Sequence, residues 1–248
     1  MIITMLSLFT TLGFGFLLGL RHATDADHVV AVTTILGRHG KISHSTFVGI
    51  LWGVGHSITV TLIAIPIIFY SFIIPPRVGL ALEFLVGVML VVLGVLSLSG
   101  ITRKISEHSI PLTIHKHKHE SPRGNNHSHF HLHVLDFLNH NVHHIGFFQT
   151  VRPIVVGLIH GLAGSAAIAL LILSTIKSPK LAALYLVIFH FGVVLGMMII
   201  TTFLGASILL VKRKSEKIHH YLVTFSGILS FIFGLYIMYQ IGIAGGLF

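Results

Sequence analysis

The chain has 248 residues, of which 54% are apolar and only 9% are charged, whereas soluble proteins carry about 25% charged residues. This composition excludes an ordinary soluble domain. The formal charge of +9 does not indicate a nucleic-acid partner, because most Lys and Arg residues lie between apolar blocks, where they set membrane orientation. The absence of cysteine excludes disulfides and thiolate metal sites.

Apolar blocks along the chain predict six transmembrane helices, because about 20 apolar residues suffice to cross a bilayer. The first block lacks the features of a cleaved signal peptide and is expected to be a retained span. Because it is longer than a bilayer requires, we expect part of it to be irregular or to lie beyond the hydrocarbon. The predicted spans are 3–36, 46–71, 79–100, 151–176, 181–211 and 218–245.

A polar, histidine-rich segment at 101–150 divides the chain into halves, 1–100 and 151–248, that resemble each other. With three spans in each half, the second half must cross the membrane in the opposite sense. The sequence therefore predicts an all-α integral membrane protein built from two inverted three-helix repeats, a layout typical of secondary transporters. Chance matching of glycines is the alternative. At offsets of 138 and 140, the matches are Gly19 with Gly157, Leu20 with Leu158, His22 with His160, Gly87 with Gly227, and Gly94 with Gly234.

The distribution of positive charge predicts the orientation. Twelve Lys and Arg residues follow spans one, three and five, whereas the loops on the other side carry three. The positive-inside rule then places both termini outside and the histidine-rich loop in the cytoplasm, so we expect a multi-pass protein of the cell membrane.

Within "RHATDADHVV" at 21–30, between two apolar runs, four ionisable side chains stand within seven residues: His22, Asp25, Asp27 and His28. On an ideal helix, at about 100° per residue, His22, Asp25 and His28 fall within an arc of roughly 120°. Asp27 points elsewhere unless the helix is distorted. Imidazole and carboxylate ligands suit a divalent transition metal, whereas Mg²⁺ and Ca²⁺ prefer oxygen and Cu(I) prefers sulfur. Nickel, cobalt and zinc remain as candidates.

A structural interpretation of the same stretch is the alternative. Arg21 lies four residues before Asp25, so the two could form an ion pair while the histidines bond to neighbouring helices. Each charge costs about 2.5–3.5 kcal/mol at the centre of a membrane helix, and such residues therefore usually mark ion or proton pathways. Four such groups within seven residues favour a metal pathway.

The segment "LGLRHATDADHVVAV", with its His-x4-Asp-His spacing, closely resembles the signature helix of the nickel/cobalt transporter family. The "GHS" at 55–57 matches a second motif of that family. The resemblance implies that the signature residues form a metal site or its selectivity entrance, with His56 nearby. We expect Arg21 and Ser57 to be supporting or pathway residues. The implied metal ligands in the first half are His22, Asp25, Asp27, His28 and His56.

Two departures from the family pattern stand out. Larger members typically have eight spans, one of them before the signature helix, which here comes first. The second-half motif normally carries acidic residues, whereas this chain has "HGLAGSAA" at 160–167. The chain therefore resembles the shorter branch associated with urease accessory permeases, and its metal preference stays open.

His160 is the repeat counterpart of His22, and we expect it to be a ligand or pathway residue, with Ser165 beside it. The alternative is a tight helix crossing in which a carbonyl satisfies His160. Between positions 108 and 144 the loop carries eleven histidines, a composition typical of metal-binding segments. We expect a flexible cytoplasmic metal buffer, with a disordered basic linker as the alternative.

The leading functional hypothesis is a secondary permease that takes up Ni²⁺, with Co²⁺ as a second substrate, and that uses no cofactor because the metal is the cargo. No nucleotide-binding motif is present. The alternative is an efflux protein that collects cytoplasmic metal through its histidine-rich loop. A membrane metalloenzyme and a non-transporting chaperone or sensor are weaker alternatives, and we expect no enzymatic activity. The expected partners are a divalent transition-metal ion, the lipid bilayer and cytoplasmic metallochaperones, with no nucleic acid.

Overall fold

The computed structural model of the protein describes residues 2–36, 42–70, 75–99, 147–162 and 167–248. These residues form eight α-helices and a short π-helical turn, and none of them is in a β-strand. The helices are α1 (Ile2–His22), α2 (Ala26–Leu36), α3 (Ile42–Tyr70), α4 (Pro76–Leu98), α5 (Phe147–His160), α6 (Ala167–Thr175), α7 (Pro179–Lys214) and α8 (Glu216–Tyr239), with the π-turn at Gln240–Ala244.

Four of the described helices are long and apolar enough to cross a bilayer: α3, α4, α7, and α8 together with the π-turn. They match the predicted spans 46–71, 79–100, 181–211 and 218–245 to within a few residues. Large apolar side chains such as Leu62, Phe203 and Phe225 are more than 60% exposed on their outer faces, as expected of surfaces that contact lipid. The chain is a multi-pass membrane protein.

The first predicted span is two helices rather than one. A turn at 23–25 separates α1 from α2, and the short polar side chain of Thr24 there bonds to nearby backbone. The Thr24 hydroxyl donates to the carbonyl of Arg21 at 2.6 Å. Asp25 stands directly before α2, and its carbonyl accepts from the amide of Val29 at 3.1 Å.

The fourth predicted span is also interrupted. Helix α5 ends at His160, where the amide of Gly161 donates to the carbonyl of Gly157 at 2.8 Å and the amide of Leu162 donates to that of Ile159 at 3.1 Å. Residues 163–166 lie outside the described part of the chain, and α6 begins at Ala167. Glycine after a helix end is a common stop signal, and Gly161 occupies that position here.

The most extensive helix packing joins α3 with α7, α4 with α8, α1 with α7, and α3 with α5. Glycines allow these close approaches. A Cβ atom at Gly87 would lie 3.0 Å from the carbonyl oxygen of Gly234, and one at Gly94 would lie 2.8 Å from that of Gly227, so α4 and α8 cross in antiparallel directions.

Two further predictions concern residues beyond this description. The histidine-rich segment lies almost wholly within 100–146, outside the described residues. The proposed boundaries of the two halves, near 100 and 150, fall in or beside the same range. The division into two halves and a central loop therefore stays a prediction.

Candidate metal centre

Four buried histidines meet where the first predicted span breaks. They come from four different helices, and they meet because His22 contacts His56 of α3 and His28 contacts His160 of α5. Each of these residues is no more than 5% exposed. They are His22 at the end of α1, His28 in α2, His56 in α3 and His160 at the end of α5.

One group of potential ligand atoms joins His22, His28 and His56. The Nε2 atoms of His22 and His56 are 3.1 Å apart. The ring centroid of His28 lies 4.6 Å from that of His22 and 5.6 Å from that of His56, and one ligand atom from each residue lies within 4.8 Å of the others. Two nitrogens that each bind one ion at about 2.0–2.1 Å are themselves roughly 3 Å apart. The spacing therefore suits a shared cation.

Asp25 fixes the orientation of His22. Its Oδ2 accepts a hydrogen bond from Nδ1 of His22 at 3.0 Å, which leaves the imidazole lone pair on Nε2, the atom that faces His56. A carboxylate that holds the far nitrogen of a ligand histidine fixes its tautomer and raises its basicity. The Asp25 side chain is 38% exposed, so this group of ligands has the more open surroundings.

A second group joins Asp27, His28 and His160, whose ligand atoms also lie within 4.8 Å of one another. Oδ2 of Asp27 accepts from Nε2 of His160 at 2.9 Å. Oδ1 accepts from the backbone amide of His28 at 3.0 Å and lies 3.3 Å from Nδ1 of the same residue. The ring centroids of His28 and His160 are 4.2 Å apart. This group offers one carboxylate and two imidazoles.

Several ring nitrogens of the cluster are buried and have no hydrogen-bond partner among the described residues. His28 lacks a partner for both nitrogens, because its Nδ1 is close to Asp27 but is not oriented to bond with it. The Nδ1 atoms of His56 and His160 are also buried without a hydrogen-bond partner among the described residues. An unsatisfied buried polar group costs about 1–3 kcal/mol, so this concentration is expected at a binding site rather than in ordinary core packing.

Because of the break at 23–25, Asp27 lies in a different place from the one that a continuous helix predicts. An unbroken helix would turn Asp27 away from the histidines. Because the chain breaks at 23–25, Asp27 lies in the first turn of α2 and reaches His160 in the other half of the chain. His22 and His28 still lie side by side, although the turn between them, and not helical periodicity, positions them.

The three supporting residues have different surroundings. Arg21 is exposed, and the carboxylate of Asp25, its expected ion-pair partner, contacts His22 instead. The hydroxyl of Ser57 is buried beside His56 and has no partner among the described residues. Ser165 lies outside the described part of the chain.

Two aromatic residues next to the histidines were not predicted from the sequence. The Trp52 ring is fully buried, with its centroid 5.6 Å from that of His28 and 5.6 Å from that of His160. The Phe189 ring lies 6.3 Å from that of His22. Trp52 is the only tryptophan of the chain and precedes His56 by one helical turn, which is the one sequence signal that could have identified it.

Comparison with known proteins places the chain in a family. It is 35% identical over 242 residues to a protein named urease accessory protein UreH, from Bacillus sp. (strain TB-90), and the match covers 97% of this chain and 96% of that relative. The chain belongs to the UreH family. The resemblance to the shorter, urease-accessory branch of the nickel/cobalt permeases is thereby confirmed. No protein-family profile and no solved structure matches the chain.

The chemistry of the centre follows from its donor atoms. Four imidazoles and two carboxylates form a nitrogen-rich set with some oxygen, which suits borderline divalent transition metals better than hard cations. The four imidazoles are buried, with Trp52 and Phe189 beside them. These side chains are candidates to hold a cation between α1, α2, α3 and α5.

Proposed function

We propose that the protein is a secondary permease that takes up Ni²⁺ across the cell membrane, with Co²⁺ as a second substrate. The observation that carries this proposal is the convergence of four buried imidazoles and Asp27 at the place where two membrane helices end. Groups of this kind are costly in a membrane protein and usually lie on ion pathways. The metal is the cargo, so the proposal requires no resident cofactor and no enzymatic step.

An inverted repeat supports transport, and the two broken helices support the repeat. Helix α1 ends at His22 and α5 ends at His160, 138 positions later, which is the offset that aligns Gly19 with Gly157. In secondary transporters built from inverted repeats, discontinuous helices commonly form the substrate site near the middle of the bilayer. The histidine cluster lies beside both of these helix ends.

The helix packing also follows the proposed repeat. In the proposed repeat, α5 is the counterpart of α1, and α7 is the counterpart of α3. The packing of α1 against α7 therefore corresponds to the packing of α5 against α3. The close contacts of glycines with backbone carbonyls recur in the same way, at offsets of 137 and 138. A Cβ at Gly19 would meet the carbonyl of Phe189, and one at Gly157 would meet that of Trp52. Likewise, a Cβ at Gly192 would meet the carbonyl of Phe16, and one at Gly55 would meet that of Ile154.

The third helices of the two halves pack in a reciprocal way. Gly87 lies against Gly234, and Gly94 lies against Gly227. At the offset of 140, Gly227 is the counterpart of Gly87 and Gly234 is the counterpart of Gly94. Gly87 therefore contacts the counterpart of Gly94, and Gly94 contacts the counterpart of Gly87. Such reciprocal contacts are the pattern that a two-fold axis produces. This supports two inverted three-helix repeats.

The proposal also covers the direction of metal transport and the use of the metal in the cell. The distribution of Lys and Arg supports outside termini and a cytoplasmic histidine-rich loop. We propose that this loop buffers arriving metal and passes it to cytoplasmic metallochaperones. We also propose that the transported nickel serves urease, because the relative at 35% identity is named as a urease accessory protein.

Radiolabelled Ni²⁺ uptake tests the proposal. Cells that express the wild type should accumulate Ni²⁺ above cells with an empty vector, and His22→Ala at matched membrane levels should abolish the difference. His44→Ala is the matched control, because His44 is also a buried histidine of α3 but lies twelve residues, or about 18 Å, from His56. Competition by Co²⁺ and weak competition by Zn²⁺ are expected.

Two results would contradict uptake. Equal accumulation in wild-type and empty-vector cells would exclude nickel transport under these conditions. Lower accumulation in wild-type cells would instead favour the efflux alternative, which the eleven loop histidines between 108 and 144 make chemically reasonable. Deletion of 108–144 should reduce metal capacity and leave residual uptake if the loop is only a buffer.

A further inference from the structure

The potential ligands of the centre divide into two groups of three that have one member in common. His28 belongs to both the group with His22 and His56 and the group with Asp27 and His160. We propose, on the basis of the proposed permease function, that these groups are two alternative stations for one ion, which passes from the first to the second through His28.

Each group is complete enough to hold an ion without the other. In the first station, the 3.1 Å separation of the Nε2 atoms of His22 and His56 is the separation expected of two ligands on one metal. In the second station, the 2.9 Å separation between Oδ2 of Asp27 and Nε2 of His160 has the same property. The potential ligand atoms fall into two groups that are each within 4.8 Å and not into a single group of all five residues, so the two pairs point to two positions.

His28 lies between the two pairs. Its Nδ1 lies 3.3 Å from Oδ1 of Asp27 in the second station, and its ring centroid lies 4.6 Å from that of His22 in the first. Neither of its ring nitrogens makes a well-oriented hydrogen bond among the described residues, so the ring's contact with Asp27 leaves both nitrogens available to a metal.

The shared histidine makes occupancy of the stations mutually exclusive. A neutral imidazole has a single lone pair for a metal, so His28 can complete one station at a time. Two divalent cations on either side of one imidazole would also repel each other strongly in these buried surroundings. Transfer then requires His28 to turn its lone pair from one station to the other by rotation about its side-chain bonds.

The two stations differ in exposure and charge, which suggests an order. The first station contains three imidazoles and no carboxylate, and the carboxylate behind His22 belongs to Asp25, which is 38% exposed. The second station contains the carboxylate of Asp27, which is 15% exposed. An ion would thus bind first near the more open Asp25 and then move to the more enclosed, negatively charged station.

Metal counting on purified full-length protein tests the two stations. Equilibrium dialysis with radiolabelled Ni²⁺ gives the number of bound ions for the wild type, His28→Ala, His56→Ala, His160→Ala and the double variant His56→Ala/His160→Ala. Ions held by the histidine-rich loop are common to all five proteins and cancel in the differences. His44→Ala serves as the control, and equal elution volumes in gel filtration check that each variant is folded.

The proposal predicts that the wild type binds one more ion than His28→Ala. The single variants His56→Ala and His160→Ala should each retain that ion, with affinity reduced by about tenfold, because the other station remains. The double variant should lose it. In proteoliposomes both single variants should nevertheless carry Ni²⁺ at least about tenfold more slowly than the wild type, since each lacks one end of the transfer.

Three results would overturn the proposal. Loss of the ion in each single variant would show one site built from all the groups together. Two additional ions in the wild type would show two independent sites. Retention of the ion with no loss of flux would show that the stations are not consecutive. Absence of Ni²⁺ flux in the wild type would instead overturn the permease function itself, whatever the binding pattern.

Discussion

The two broken helices have equivalent places in the chain but different side chains. After His22 the chain continues with Thr24 and Asp25 and then enters α2 with Asp27 and His28. After His160 it continues with Gly161, whose Cβ position would contact the backbone of His56. The first break supplies three additional ligand candidates, whereas the described part of the second supplies His160 and a close helix contact.

The two halves therefore share the packing of their helices but not their potential metal ligands. Both halves use small residues to bring helices together around a break, and the packing of Gly19 is repeated at Gly157. The carboxylates and most imidazoles belong to the first half alone. Under the proposed repeat, one half carries most of the candidate metal ligands and the other mainly positions them.

The largest effect is expected at His28, because it belongs to both groups of ligands. His28→Ala should reduce Ni²⁺ uptake by more than about 100-fold, since the loss of an outer partner of a metal ligand alone costs 10–100-fold. Uptake by cells at limiting Ni²⁺ measures this, with His44→Ala as the control. Uptake within a few-fold of the wild type would show that the first break is not the centre of the pathway.

The two carboxylates of the first break should differ from each other. Asp27→Asn should lower uptake by about 10–100-fold, because Asp27 is mostly buried and contacts two histidines. Asp25→Asn should lower it by about tenfold, the low end of that range, because Asp25 is more exposed, contacts His22 alone, and its replacement keeps an oxygen that can accept from His22. Initial rates over a range of Ni²⁺ concentrations compare the two variants. A larger loss for Asp25→Asn would reverse the proposed order of the stations.

Equivalent glycines should have equal structural importance in the two halves. Gly19→Ala and Gly157→Ala each place a Cβ against backbone of a neighbouring helix and should destabilise the protein by about 1–3 kcal/mol. Gly13→Ala is the control, because nothing lies within 4 Å of its Cβ position and alanine favours a helix by about 1 kcal/mol over glycine. Thermal unfolding in detergent measures all three. Sensitivity at only one of the two equivalent sites would count against a shared packing pattern.

The smallest effect is expected at Trp52, which packs against His28 and His160 and whose indole nitrogen has no hydrogen-bond partner among the described residues. Trp52→Phe keeps an aromatic ring in place, so the expected cost is about 1 kcal/mol and uptake should fall less than tenfold. The same uptake assay tests this variant. A loss as large as that of His28→Ala would give Trp52 a direct part in the pathway.

The sequence was sufficient for the long helices and for most of the cluster. Helices α3, α4, α7 and α8 are continuous apolar blocks, which hydropathy detects directly. The spacing of His22 and His28 between two apolar runs marked the first break as a place of chemistry. The length of the first block predicted an irregular part but not its position, because the polar interruption at 23–25 is short and helical periodicity continues across it. The break after His160 was not predicted.

Long-range placement was the other part that the sequence did not determine. The contact between Asp27 and His160 joins residues 133 positions apart, and it depends on the direction in which α2 leaves the turn. The position of Trp52 between His28 and His160 depends on how α3 packs against α2 and α5. No local pattern encodes such contacts, and only the repeat offset suggested that His160 belongs near His22.

The most direct test of the central claim is an experimental structure of the full chain with Ni²⁺, with the metal located by its anomalous scattering. The account predicts a single peak within the cluster, at about 2.0–2.1 Å from ring nitrogens, either between His22, His28 and His56 or between Asp27, His28 and His160. A cluster without metal, in a protein that binds Ni²⁺ elsewhere, would contradict the claim that these buried side chains hold the ion on its way across the membrane.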